Sequence, residues 1–402
     1  MDYKQNIKRA NTEPITNNIT VSLNEVLQYT LLYNPELKAA NLNIDGMEAL
    51  VLQSKSYENP ELETELENVG VNAFSIRIGQ LIELGGKRSA RINLAKLGRS
   101  AAAWEYEIQR LTILVEAGKQ FINTLKTQEM LDLLEQSYDI AERSYQTALS
   151  RKKAGVASEI EILQTEKERE IIKVELEKEL NDQVLQIKLL SLYAGDQSNF
   201  TQVIGKLERP LSIPELSDLL SEINQSPDIV TWLIRTEELK ILEKEAKVQV
   251  VPDLSVNAGY ERNNVSGDNT FLLGFSIPLP VWNQNKGNKK FAEINSYKAA
   301  FEKKAMEIQI YRDLHSIYTD FENTFIEINV LNDKLIPIAK KTYQEAQKFY
   351  GSGKLSSMEL LNYQRDLLEN EMRYIDQVAE FYKLKYDLEL LIGSEINIRT
   401  EG

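Results

Sequence analysis

The sequence lacks cysteine altogether, and its only histidine is His315. Thiol nucleophiles, disulfides, zinc sites built from Cys and His, and catalytic triads centred on histidine are therefore excluded. No apolar run reaches the ~18 residues that a membrane-spanning helix needs, which excludes a helical membrane protein. The first twenty residues are polar, so we expect that a secretion signal is not part of this chain.

Basic residues are in the minority. The 402 residues include 47 Lys and Arg against 61 Asp and Glu, which gives a formal net charge of −14. A nucleic-acid groove needs clustered Lys and Arg, so we expect no nucleic-acid partner. The acidic residues are numerous enough for a hydrolase with paired carboxylates, but no motif places an acid, a base and an oxyanion donor together. We therefore expect a protein that is not an enzyme and needs no cofactor.

The chain contains two similar halves. The segment from Tyr145 to Leu163 returns 198 residues later as Tyr343 to Leu361, and upstream Pro35 returns as Pro227 at an offset of 192. A tandem duplication of this length indicates two copies of one structural unit. The predicted parts are an N-terminal extension (1–21), a first repeat (22–195), a connector (196–214), a second repeat (215–393) and a C-terminal tail (394–402).

Each copy contains a stretch in which the hydrophobic period changes from 3.6 to 2, which predicts β-hairpins at about 60–84 and about 252–281. Four strands of about 9 to 11 residues, each with one apolar and one polar face, match the length of a tilted strand that crosses a bilayer. Small closed barrels need about eight strands. The chain must therefore keep its strands in water or complete a barrel with copies of itself.

Each predicted hairpin leads into a long helix, at about 88–152 and about 286–350. A heptad seam with small alanines runs through both helices and predicts coiled-coil packing along their length. Both helices end at a glycine turn, Gly155 or Gly353, and a serine three residues later is suited to cap a returning helix. Each copy is thus expected to form a long helical hairpin with a glycine at its tip.

The segments that leave the two β-hairpins read IELGGKR from Ile82 and PLPVWNQNKG from Pro278. With these motifs and the two glycine tips in this order, residues of about 21–393 resemble the TolC family of outer membrane efflux proteins, and in particular its heavy-metal cation branch of CzcC-like and CusC-like factors. The resemblance implies a mainly α-helical, TolC-like fold. It combines a long coiled-coil α-helical barrel with four β-strands per protomer, which a homotrimer assembles into a twelve-stranded transmembrane β-barrel.

The resemblance also implies a function in transport. The chain would be a passive, gated duct in outer membrane lipid, with helices that extend into the periplasm to meet a membrane-fusion adaptor and an inner-membrane efflux pump. The cargo, metal cations or drugs, rests on the resemblance alone, because no set of soft ligands has metal-binding spacing. The alternative is a soluble coiled-coil scaffold whose amphipathic hairpins pack against its own helices.

The same resemblance implies site residues at the two tips. The candidate adaptor-docking residues are Arg151, Gly155, Val156, Ser158, Gly353 and Ser356. The candidate periplasmic gate consists of Tyr350, Glu359 and Asn362. The family pattern has an acidic residue where Asn362 stands, and Phe349 occupies the position in the second copy that matches Arg151. The alternative for Glu359 is an ordinary helix-start carboxylate that the helix dipole favours.

Four acidic residues alternate along the first strand, namely Glu61, Glu63, Glu65 and Glu67. If the intervening leucines face lipid, these carboxylates line the barrel lumen and attract cations, as charged rings do in other channels. The alternative is that they only keep a solvated face soluble.

Overall fold

The computed structural model describes residues 19–67, 73–195 and 199–401, and α-helix predominates in them. The helices are α1 (Leu23–Tyr33), α2 (Pro35–Ser54), α3 (Lys87–Lys153), α4 (Glu159–Tyr193), α5 (Leu216–Glu222), α6 (Pro227–Val248), α7 (Lys286–Val330), α8 (Ile336–Gly351) and α9 (Ser357–Ile392). The strands are β1 (Ile19–Val21), β2 (Glu61–Glu67), β3 (Ala73–Ile82), β4 (Phe200–Val203), β5 (Leu254–Asn263) and β6 (Asn269–Ser276). None of the helices in these ranges combines the length and apolarity needed to cross a membrane.

By its internal contacts the chain divides into two compact units. The described residues within 39–107 and 228–309 form the sheet unit, and those within 1–38, 108–227 and 310–402 form the helical unit. The continuous helix α3 contributes to both units. Its 67 residues agree with the long helix expected from the sequence, and at 1.5 Å per residue they extend for about 100 Å.

The sheet unit contains one antiparallel sheet with the strand order β2-β3-β5-β6. The two predicted hairpins are confirmed, and they join through the pairing of β3 with β5. The edge strands β2 and β6 have 7 and 8 residues, fewer than the 9 to 11 expected, whereas β3 and β5 have 10 each. In the described ranges, the outer edges of β2 and β6 carry no further strand.

The two faces of this sheet show the reverse of the burial expected for a sheet in water. Large apolar side chains are exposed on one face, where Phe271 is 83% and Leu273 is 71% accessible. On the opposite face Ser75 and Ala73 are buried. A continuous exposed apolar surface marks a contact with a partner or a membrane, since soluble proteins rarely leave one uncovered.

The helical unit confirms the heptad seams. In the first copy the buried seam residues include Leu131, Leu134, Ala141 and Ala148. In the second copy they include Ala339, Tyr343 and Ala346 on α8, which packs against α9. The alanines on α8 allow its backbone to approach that of α9 closely.

The second long helix is interrupted just before Pro337, since an interior proline cannot be part of a regular helix without losing a backbone hydrogen bond. A π-helical turn, Leu331–Leu335, separates α7 from α8. Pro337 has no N–H to donate to the carbonyl of Asp333, and its ring would collide with that carbonyl in a regular helix. The wider turn removes the collision while the chain stays helical.

The segment predicted as a plain connector contains a strand. Strand β4 lies within residues 196–214 and pairs in parallel with β1, and Pro210 forms an isolated antiparallel bridge with Thr400 near the C-terminus. Arg209 donates to Asn329 at 2.7 Å and to Asp333 at 2.8 Å, so this segment is tied to the end of α7 and to the π turn.

Candidate functional site

The two tips of the helical hairpins are built in the same way. Gly155 and Gly353 both adopt a left-handed conformation, with φ of 74° and 72°. At the first tip Gly155 N–H donates to Lys152 at 2.9 Å and Val156 N–H donates to Arg151 at 3.0 Å. The second tip repeats both bonds, from Gly353 and from the following lysine. This is the Schellman pattern that ends a helix at a left-handed glycine.

A serine caps each returning helix. Ser158 Oγ accepts from the N–H of Glu161 at 3.2 Å, and Ser356 Oγ accepts from the N–H of Glu359 at 3.3 Å. The two glutamates then differ. Glu359 accepts from the N–H and the hydroxyl of Ser356, which completes a capping box and lowers the pKa of Glu359. The side chain of Glu161 instead reaches the other hairpin.

This reach creates a cluster of three side chains that we call the tip latch: Arg151, Glu161 and Tyr350. The hydroxyl of Tyr350 donates to the carboxylate of Glu161. Arg151 Nε lies 3.4 Å from the same carboxylate, and its guanidinium lies 4.7 Å from the centre of the Tyr350 ring. Burial and the neighbouring Glu161 carboxylate raise the pKa of Tyr350 to about 12, so its hydroxyl keeps the proton that it donates.

Two further bonds join α4 of the first hairpin to α9 of the second. Ser357 donates to Gln164 at 3.0 Å, and Arg365 donates to Glu168 at 2.5 Å. The Glu168 side chain is only 7% exposed, so its charge depends on Arg365 for compensation. With the tip latch, these bonds hold the two hairpins of one chain together over about two helical turns.

The other predicted tip residues occupy different surroundings. Val156 is 65% exposed beside the first glycine, which leaves it free for contact with a partner. Glu359 lies in its capping box, as the helix-start alternative describes, and Asn362 is exposed on α9. The side chain of Arg151 is turned toward Glu161 and Tyr350.

Sequence reasoning missed Glu161 as a site residue. The signal was present, because an offset of 198 relates Glu161 to Glu359. The sequence did not reveal that these two matched glutamates act differently. The side chain of Glu359 caps its own helix, whereas that of Glu161 contacts the second hairpin.

The acidic residues of β2 share a face with Arg77 of β3. Arg77 lies opposite Glu63 in the sheet register, and its guanidinium lies 3.4 Å from the carboxylate of Glu65 and 3.9 Å from that of Glu63. Glu61 lies on the same face, opposite a glycine. Glu67 belongs to β2, but its side chain is outside the described residues. The predicted acidic strip therefore carries a basic side chain at its centre.

Metal ligands are scarce in the part of the chain that the structure describes. There, no three His, Cys, Asp or Glu side chains are grouped closely enough to hold a metal ion.

The family model of the outer membrane efflux protein matches residues 26–194 and 221–394. The cobalt-zinc-cadmium resistance protein CzcC of Cupriavidus metallidurans is 28% identical over 363 residues, which cover 90% of this chain and 87% of CzcC.

Solved structures share the fold. A membrane protein from Pseudomonas aeruginosa has a TM-score of 0.76 at 18% identity, and the match covers 93% of this chain and 90% of that one. The CmeC outer membrane channel of Campylobacter jejuni has a TM-score of 0.75 at 17% identity, with 93% and 86% covered. Since the family model spans most of the sequence and the fold is that of solved outer membrane channels, this chain belongs to the outer membrane efflux protein family.

Proposed function

We propose that three copies of this chain form the outer membrane exit duct of a tripartite efflux system. The observation that carries the proposal is the four-stranded sheet, whose apolar face is exposed and whose two edges lack a further strand in the described ranges. Unpaired edges are costly in lipid, where each unsatisfied backbone group costs several kcal/mol. Pairing β6 of one copy with β2 of the next removes every edge when the ring closes.

The number of copies comes from the family resemblance together with the strand count. One chain supplies four strands, and the smallest closed barrels have about eight. Three chains give twelve, with the apolar face toward lipid and the face of Glu61, Glu63 and Glu65 toward the lumen. The solvated-scaffold alternative would require the apolar face of this sheet to be covered, and in the described residues it is exposed.

We assign the gate to the tip latch. Its three side chains link the two hairpins of one protomer, so they favour a closed tip until a partner separates the hairpins. Val156 and the two glycine turns present exposed backbone and a small apolar side chain at the tips, which suits docking of a periplasmic adaptor. The adaptor and an inner-membrane pump would supply the energy, and the duct itself would remain passive.

We infer that the cargo is a metal cation. The similar protein CzcC is named for resistance to cobalt, zinc and cadmium, and carboxylates line the proposed lumen. Transient attraction by carboxylates suits a conduit, because conduction requires that the ion also leave. Arg77 moderates this attraction by pairing with Glu63 and Glu65.

Mass determination in detergent together with planar-bilayer conductance tests the main proposal. We expect a particle of three chains that inserts and conducts ions. Replacing Glu61, Glu63, Glu65 and Glu67 by Gln should lower cation selectivity, seen as a smaller reversal potential in a salt gradient. A monomer that is stable in detergent-free buffer would contradict the duct and favour the scaffold.

A further inference from the structure

The exposed apolar row on β6 continues beyond the sheet. Six alternate residues from Phe271 to Val281 are large, apolar and exposed, although β6 ends at Ser276. Leu279, in the unpaired part, is still 76% exposed. The N–H of Val281 donates to the carbonyl of Leu279 at 2.8 Å, so the chain turns after Leu279. The eight steps from Phe271 to Leu279 would cover about 26 Å if fully extended, at ~3.3 Å per residue, which is comparable to the height of about 25 Å of the apolar band of an outer-membrane barrel.

An aromatic residue and a cluster of cations follow directly. Trp282 is 94% exposed. The next charged residues are Lys286, Lys289 and Lys290, and no acidic residue occurs between Asp268 and Glu293. This local positive charge is notable in a chain whose net charge is −14.

The cations in the matching segment of the first copy all have partners within the chain. There Lys87 pairs with Asp253 at 2.8 Å, Arg91 pairs with Glu83, and Arg88 stacks on the Tyr57 ring at 4.0 Å. All three cations of the first copy therefore have partners within the sheet unit.

In the second copy the corresponding cations are mostly unpaired. Lys290 pairs with Glu293 at 2.9 Å. Within the described residues, no acidic side chain forms an ion pair with Lys286 or Lys289. Two cations that follow an exposed tryptophan and an apolar row in the sequence are thus available to an external anion.

We propose that Trp282, Lys286 and Lys289 form a collar that binds the headgroups of anionic phospholipids at the membrane boundary nearest the helices. The proposal rests on the proposed function, because it requires the apolar face of the sheet to lie in lipid. Tryptophan favours the boundary between hydrocarbon and water. Lysines beside it are attracted to an anionic leaflet and can extend their ammonium groups to the phosphates.

Lipid quenching of tryptophan fluorescence tests the collar. The substitutions Trp104→Phe and Trp232→Phe leave Trp282 as the single tryptophan. The protein is reconstituted in mixed bilayers in which either phosphatidylglycerol or phosphatidylcholine carries brominated chains at the same mole fraction. We expect brominated phosphatidylglycerol to bind near Trp282 about fivefold more strongly than brominated phosphatidylcholine. One lysine near an anionic surface contributes about 1 kcal/mol of binding free energy, which corresponds to that ratio.

Matched variants separate the collar from general charge. Lys286→Gln with Lys289→Gln should abolish the preference, and Lys298→Gln with Lys304→Gln, on the same helix further from the sheet, should retain it. Equal quenching by both lipids in the parent protein would overturn the collar and leave the duct intact. No quenching by either lipid would also overturn the collar, because Trp282 would then lie outside the bilayer.

Discussion

Replacing Glu161 by Gln should open the tip of the channel. The carboxylate of Glu161 accepts the hydroxyl of Tyr350 and lies beside Arg151. The amide keeps the size of the side chain, so the hairpins should still fold and pack. It removes the negative charge that makes Tyr350 and Arg151 converge on one group.

The size of the effect follows from the geometry. A hydrogen bond to a charged group contributes about 1.5–3 kcal/mol. The Glu161 side chain is 13% exposed and that of Arg151 is 26% exposed, so water screens the ion pair only in part. We take about 1.5 kcal/mol per protomer as the loss, because Gln can still accept one hydrogen bond. Each 1.4 kcal/mol is a factor of ten in an equilibrium, so the open fraction per protomer should rise about tenfold.

Planar-bilayer recording measures this change as higher open probability or conductance. A second readout does not need a pore: the chain has no cysteine, so Ser357→Cys introduces a single thiol between the hairpins. Its rate of maleimide labelling should rise when Glu161 is replaced.

The matched control is Glu359→Gln. Glu359 occupies the equivalent position in the second copy but forms only its capping box, so its replacement should weaken the start of α9 without releasing the latch. If both variants keep the conductance and the labelling rate of the parent, the latch does not hold the tip closed.

Three further outcomes are expected. Arg77→Gln should raise the cation-to-anion permeability ratio measured from reversal potentials, because it removes the cation beside Glu63 and Glu65; an unchanged ratio would place this face outside the lumen. Gly259→Ala should lower the free energy of unfolding by about 1–3 kcal/mol per chain, because the added Cβ would lie 2.8 Å from Arg77 Cγ. An unchanged melting temperature of the assembled channel would contradict this crowding. The pKa of Glu359 is lowered by its bonds to Ser356, so this cap stabilises α9 fully above pH ~4.5 and is lost as the pH falls below that; the protection of backbone amides at the start of α9 from hydrogen exchange, relative to their intrinsic exchange rates, should therefore fall in acid, and Glu359→Gln should remove this pH dependence.

The elements found from the sequence are those specified by local chemistry. The two β-hairpins follow from alternation, and the helix ends follow from glycine and serine at fixed spacing, as at Gly155 and Ser158. Strand β4 was missed because 4 residues are too few to show a period. The short strand also depends on β1, which is remote in sequence.

The sequence predicted the candidate site only in part, because its contacts join segments that are distant in the chain. Tyr350 was identified from the family pattern, but its partner Glu161 is 189 positions away. Arg77 was visible as part of the polar alternation, yet its pairing with Glu65 requires the strand register. Contacts between distant segments depend on the packing of whole helices and strands, which local residue patterns do not determine.

The π turn before Pro337 has a consequence for the mechanics of the second hairpin. Buried residues from Phe321 to Leu331 follow steps of three and four, but the next one, Ala339, lies eight positions further instead of seven. One surplus residue in a regular helix would rotate everything beyond it by about 100°, and the wide turn absorbs that residue so that Tyr343 still faces inward. Deleting one residue from this turn should therefore preserve the phase of the seam but bring the Pro337 ring back against the preceding carbonyl, whereas inserting one would turn the buried stripe of α8 toward solvent.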